Sequence, residues 1–233
     1  MNIYGLQKMT LLDFPGHVAC TVFLGGCDFR CPYCHNYELA CAKSEPVMDE
    51  NGLYAFLEKR KGLLDGVAVT GGEPTLSAGL ADLLREVRRM GFLTKLDTNG
   101  YHPEILKRLL DEGLADYVAM DIKNSPGKYA LTAGLENPEK TDMDRIRESI
   151  SLLTGGSTDY EFRTTVVKEF HTEEDFEEIG KMIRGAKRYF LQKFTDRDTV
   201  PFGGLSAPEP EQMETFAAIV RRYVPDTFLR GVE

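Results

Sequence analysis

Tryptophan is absent from the 233-residue chain, histidine occurs only four times, and cysteine does not occur after residue 41. The five cysteines, Cys20, Cys27, Cys31, Cys34 and Cys41, crowd into one short N-terminal stretch. A disulfide framework would spread its bridges through the fold, so this crowding points instead to a metal site in a reducing compartment. No run of about 18 apolar residues occurs, so no transmembrane helix is expected. The first residues, Met1-Asn-Ile-Tyr-Gly-Leu-Gln-Lys8, lack the apolar core of a secretory signal, and a cytoplasmic location is expected. Positive charge is also short: 28 lysines and arginines stand against 37 aspartates and glutamates, a formal net charge of −9. That balance gives no electrostatic footprint for nucleic acid or an anionic membrane, and neither is an expected partner.

What is present is ordinary in bulk and unusual in pattern. A hydrophobic content of 42% with 28% charged residues suits a soluble globular protein large enough to bury a core without help from a metal. Apolar runs suited to buried strands fall at 18–24, 66–70, 92–96, 116–120, 160–167 and 187–194. Helical patterns follow from about 49 to 62, 78 to 90, 103 to 112, 142 to 154, 173 to 184 and 210 to 223. Residues 1–17 are expected to be a lead-in with a turn, 124–140 a long loop, and 195–210 irregular. Six strand-then-helix units in succession imply α/β architecture with a parallel sheet and right-handed crossovers. The expectation is one domain over 1–233, folded as a partial (β/α)6 TIM-like barrel, with an open doubly wound sheet as the structural alternative.

The first strand runs into Phe23-Leu-Gly-Gly-Cys27-Asp-Phe-Arg-Cys31-Pro-Tyr-Cys34-His35, which sets three cysteines at C-x3-C-x2-C spacing in a loop over about 25–37. Three thiolates are one short of a closed zinc site or a fully ligated iron–sulfur cube, and the open position could take a substrate. Other solutions stay open on these residues alone: covalent haem at Cys31-Pro-Tyr-Cys34-His35, a dithiol redox pair, or a structural zinc completed by His35. The cytoplasmic expectation weakens the haem solution. Cys20 is expected to pack in the core; Cys41 is either a fourth ligand or incidental.

In parallel α/β folds ligands bind beyond the carboxyl ends of the strands. The other polar motifs fall there: Gly71-Gly72-Glu73-Pro74 after the second strand, Asp97-Thr-Asn99-Gly100 after the third, Asp121-Ile-Lys123 after the fourth, and Arg163 inside the fifth. Each has a bland alternative. Gly71-Gly72 and Asn99-Gly100 are good turns, and Arg163 could pair with Asp121 or Asp97 because an unpaired charge in an apolar strand is costly. His17, His102 and His171 have no ligand spacing and are expected at the surface or in turns.

Together these motifs resemble the radical S-adenosylmethionine superfamily, whose signature C-x3-C-x-aromatic-C is matched by Cys27, Cys31, Tyr33 and Cys34. Asp13-Phe-Pro-Gly16, Phe23-Leu-Gly-Gly-Cys27 and Cys34-His35-Asn36 further resemble the activating enzymes of glycyl radical proteins, above all the longer form that serves anaerobic ribonucleoside-triphosphate reductase. The resemblance implies that Cys27, Cys31 and Cys34 ligate a [4Fe–4S] cluster whose fourth iron takes the methionyl group of S-adenosylmethionine. Tyr33 and the backbone at His35 would lie by the adenine, Gly71, Gly72 and Glu73 would receive the methionyl amine, and Asp97 and Asn99 would lie by the ribose. Asp121, Lys123 and Arg163 would line the rest of the pocket. Reductive cleavage would yield a 5′-deoxyadenosyl radical that takes hydrogen from a glycine of the partner enzyme, with a flavodoxin or ferredoxin-type protein as electron donor. Alternatives are activation of a pyruvate formate-lyase type enzyme or chemistry on a small molecule such as a deazapurine precursor; from a different class, a zinc or dithiol redox module. A histidine that contacts the cofactor in formate-lyase activases, after the fifth strand, has no clear counterpart.

Overall fold

A computed structural model describes residues 1–135 and 142–232, which fall into two compact units. The first comprises Met1–Asp28, Glu38–Thr98 and His102–Ala119; the second comprises Phe29–Tyr37, Asn99–Tyr101 and Met120–Glu233.

The first unit opens with β1 (Asn2–Ile3) and β2 (Gly5–Thr10), then β3 (Ala19–Leu24), α1 (Tyr37–Ala40), β4 (Met48–Asp49) and α2 (Glu50–Glu58). There follow β5 (Gly66–Gly71), a 3-10 turn at Pro74–Leu76, α3 (Leu80–Arg89), β6 (Leu93–Thr98), α4 (Pro103–Asp111) and β7 (Tyr117–Asp121). The strand order is β2-β3-β5-β6-β7, with β2 antiparallel to β3 and β3, β5 and β6 mutually parallel. Ala-Cys-Thr-Val-Phe-Leu in β3 and Gly-Val-Ala-Val-Thr-Gly in β5 are buried at nearly every position, as continuous apolar strands covered on both faces must be. Helix α3 buries Leu80, Leu83, Leu84 and Val87 along one stripe and ends on Arg88 and Arg89, which suit the negative end of its dipole. Pro103 opens α4 at the position where its missing N–H costs nothing.

The second unit takes the end of β7 and adds α5 (Tyr129–Ala133), α6 (Met143–Gly155), β8 (Asp159–Val166), α7 (Glu173–Met182), β9 (Tyr189–Lys193), α8 (Pro210–Arg221) and β10 (Thr227–Arg230). Its order is β7-β8-β9-β10, and β9 pairs in parallel with both neighbours. Thr172 and Asp175 form a capping box at the start of α7, and Phe176 of α7 stacks on Phe216 of α8 at 4.4 Å. Arg230 grips both carboxylate oxygens of buried Glu161 at 2.7 and 2.9 Å while lying over the Phe190 ring, which fastens β10.

The α/β class, the mostly parallel pairing within each unit, the strand-then-helix succession and most boundaries agree with expectation. Several elements were not expected, among them the two-residue strands β1 and β4 and the four-residue helix α1, which are too short to show a period. The lead-in contains β2, an edge strand whose exposed middle gives no alternation; the C-terminal segment ends in the four-residue β10; and the loop over 124–140 contains α5, which at five residues is too short to show a helical period. The rest of that loop, from 136, lies outside the described residues. Among the described residues no helix is long and apolar enough to cross a membrane.

Candidate active site

In the first unit the glycine-glutamate element is built against the end of β3. Gly72 N donates to Leu24 O at 2.9 Å and Glu73 N to Gly26 O at 2.8 Å. A Cβ on Gly71, whose φ is +120°, would sit 2.2 Å from Leu24 O, and one on Gly72 would sit 2.0 Å from Gly26 O. Glycine is therefore required by chain-to-chain approach beside the residues that lead into Cys27. The Glu73 carboxylate is 1% exposed, and its Oε1 accepts from Thr75 N, Thr75 Oγ1 and Thr98 Oγ1 at 3.1, 2.5 and 2.8 Å. Three donors on one oxygen hold this buried acid in a single orientation. Asp97 pairs with Lys95, a lysine 2% exposed inside β6. Cys27 is half-buried, its backbone N–H donates to Ala40 O at 3.1 Å, and the neighbouring Asp28 meets His102 Nε2 at 2.9 Å. The hydrogen bond to Asp28 raises the His102 pKa.

The second unit holds Cys31, Tyr33, Cys34, His35, Asn99, Asp121, Lys123 and Arg163. Cys34 N donates to Cys31 O at 3.1 Å, closing the turn between the two thiols. Asp121 receives Arg163 Nε on one oxygen and Lys123 Nζ on the other, both at 2.9 Å. Asp121 is one of the two partners that the sequence offers Arg163. Burial would raise the Asp121 pKa, but the charges of Arg163 and Lys123 outweigh it and hold it at about 2. Burial pushes the Cys31 thiol up to about 11 against the pull of Lys123, and pushes the Tyr33 phenol well above its ordinary range. His35 Nε2 meets Thr195 O at 2.7 Å and the ring stacks on Phe194. Asn99 Oδ1 accepts from Tyr101 N at 2.9 Å, a side-chain turn that its bland alternative anticipated.

One placement is corrected. His171 is not at the surface: it is 1% exposed, with Nε2 on Lys123 O at 3.0 Å and Nδ1 on the Val167 backbone at 3.1 Å. Burial lowers its pKa. Cys20 is fully buried as expected, its thiol pushed up to about 12 by that burial, and Cys41 is half-buried. Lys95 was missed, although Lys95-x-Asp97 has the i, i+2 spacing that sets both charges on one face of β6.

A family model described as the radical SAM superfamily matches residues 21–183, more than half of the chain, and the protein belongs to that superfamily. Among its relatives is a protein of Methanocaldococcus jannaschii, named provisionally as a glycyl-radical enzyme activating enzyme, 29% identical over 99% of this chain and 96% of its own length. The pyruvate formate-lyase-activating enzyme of Clostridium pasteurianum is 34% identical over 53% of this chain and 52% of its own. In fold, the chain resembles SuiB of Streptococcus suis bound to S-adenosylmethionine, with a TM-score of 0.65 at 14% identity over 91% of this chain and 51% of that one. Radical SAM enzymes use a [4Fe–4S] cluster and S-adenosylmethionine. The donor chemistry here suits both groups: the cysteines are free of disulfides, and the buried Glu73 carboxylate is an acceptor for a cationic amine.

Proposed function

We propose that this chain is a radical SAM activase that generates a glycyl radical on a partner enzyme, and that the partner is anaerobic ribonucleoside-triphosphate reductase. The observation that carries the reading is the Cys27, Cys31, Tyr33, Cys34 signature in a chain alike from end to end to a glycyl-radical activating enzyme. Cys27, Cys31 and Cys34 would hold the cluster and leave one iron open, and S-adenosylmethionine would occupy that iron. Together the two groups supply one-electron cleavage of a sulfonium and abstraction of a hydrogen atom.

The protein's own residues bind and orient. Asp121 holds Arg163 and Lys123 together, and the Lys123 charge so fixed acts on Cys31. Lys123 also favours the thiolate of Cys31 that metal binding needs. Glu73, kept in one orientation by Thr75 and Thr98, would receive the ammonium group. Asp97, neutralised by Lys95, and Asn99 would lie by the ribose. A cytoplasmic location and a flavodoxin or ferredoxin-type donor complete the proposal.

Anaerobic incubation of the reconstituted protein with reductant, S-adenosylmethionine and a candidate reductase should produce a glycyl electron-spin signal. Cofactor cleavage without a protein radical on any tested glycyl radical enzyme would move the reading to a small-molecule substrate. Reconstitution with stoichiometric zinc and no iron would overturn radical chemistry altogether.

A further inference from the structure

Asp121 ends β7, and Lys123 stands two residues further on, in the loop that follows. Ile122 between them is still held by β8: its N–H donates to Arg163 O and its carbonyl accepts from Thr164 Oγ1, both at 2.7 Å. The next carbonyl, that of Lys123, is received by a side chain. His171 Nε2 lies 3.0 Å from Lys123 O. A carbonyl can only accept, so Nε2 carries the hydrogen, and Nδ1 of the neutral ring accepts from Val167 N at 3.1 Å. Burial favours that neutral ring.

The attachment is reciprocal. Asn124 Nδ2 donates to Phe170 O at 3.0 Å. Two neighbouring residues in the loop after β7 thus exchange side-chain-to-backbone hydrogen bonds with two neighbouring residues in the loop after β8. Both His171 and Asn124 are buried, and the His171 ring stacks on Phe176 of α7 at 5.7 Å. The latch falls on the residue whose ammonium turns back to Asp121 at 2.9 Å. That contact between residues two apart needs the chain to stay extended through Ile122 and Lys123. A backbone rotation at Lys123 would break it, and the His171 bond opposes that rotation.

We infer that His171 is a positioning residue for S-adenosylmethionine binding: by holding the Lys123 carbonyl it fixes the backbone that carries the Lys123 and Asp121 side chains. The inference rests on the function proposed above, in which both side chains line the cofactor pocket.

Asparagine and glutamine divide the two bonds of the ring, since an asparagine amide stands in for Nδ1 and a glutamine amide for Nε2. The proteins compared are wild type, His171→Asn, His171→Gln, Lys123→Met, and Lys123→Met combined with His171→Asn. Each is loaded with cluster to equal iron content, and S-adenosylmethionine affinity is measured by anaerobic calorimetry. Thermal midpoints of the cluster-free proteins are measured beside it. His171→Asn should bind about tenfold more weakly than wild type, and His171→Gln should bind almost as well as wild type even if its midpoint falls. With Lys123→Met already in place, His171→Asn should cost no further affinity. The same fold loss with and without Lys123, or affinity that follows the midpoint rather than the Lys123 bond, would mark a purely structural histidine and overturn the inference. Wild-type affinity in Lys123→Met would also overturn it, because His171 would have nothing to act through, and the proposed function would stand. If His171→Asn does not fold, His171→Gln decides: near wild-type affinity supports the inference, and affinity lost with the Lys123 bond kept overturns it. Failure of the cluster-loaded wild type to bind S-adenosylmethionine at all would instead overturn the proposed function, and the inference with it.

Discussion

Cys31 carries the tension of the site in one side chain. It is 7% exposed and its pKa is raised to about 11 by burial, yet ligation needs its thiolate. Cluster-free protein treated with iodoacetamide and mapped by mass spectrometry should therefore label at Cys27 and Cys34, both half-buried, well before Cys31 and Cys20. Equal rates at all four would remove the burial account. The Lys95–Asp97 pair makes a second test. Removing one partner of a buried pair strands a charge and costs roughly 3–5 kcal/mol, whereas replacing both with apolar residues is often neutral. By urea unfolding, Lys95→Met should lose about 3 kcal/mol, and Lys95→Met with Asp97→Leu should recover most of it; if the double variant is no better, the pair is not what Lys95 is for. These residues also show how far the site was legible. Charges in apolar strands and the cysteine spacing could be seen, because burial makes an unpaired charge or an unligated thiolate costly. The partners of Glu73 could not, since they depend on which chain segments meet.

Among the elements, those with a full apolar stripe or run were visible in the sequence, as α3, β3 and β5 are. β2, β10 and α5 were not, because a strand or helix held by its neighbours rather than by its own pattern leaves no period to read. The turn after β5 shows the same limit. Gly71 and Gly72 look like ligand-facing glycines in the sequence, but the immediate demand is that β5 and the 3-10 turn after it press against Leu24 and Gly26. Gly72→Ala should therefore lower the thermal midpoint of the cluster-free protein, where no ligand is involved. It should also loosen the segment before Cys27, seen as faster amide exchange at Glu73, whose N–H is held by Gly26. A variant that lost only cofactor affinity, with an unchanged midpoint, would return the glycines to a purely ligand-facing role.

At the scale of the whole molecule, the excess of acid that removes nucleic acid from the expected partners also sets how the protein responds to pH. Asp116, Asp121, Asp159 and Asp175 all have pKa values below the ordinary carboxylate range. In each, burial would raise the value, and cationic partners with hydrogen bonds outweigh it. A carboxyl group with a lower pKa folded than unfolded binds protons more readily when unfolded. Its stabilisation is therefore fully present above the unfolded value and is lost as pH falls through the folded one. For Asp121 that window runs from about 4 down to about 2, and the shift corresponds to roughly 2 kcal/mol. Urea unfolding of the cluster-free protein should show a steep fall in stability between about pH 4 and 2, separate from the change nearer neutrality, where His171, with its lowered pKa, loses stability as pH falls and His102, with its raised pKa, adds it. Asp121→Asn would leave Arg163 and Lys123 without their shared carboxylate, so it should be less stable at pH 7 and fall less steeply in acid. If the variant instead keeps the wild-type slope between pH 4 and 2, Asp121 does not stabilise the fold through its charge, and the acid limb belongs to the other carboxylates whose pKa values are lowered.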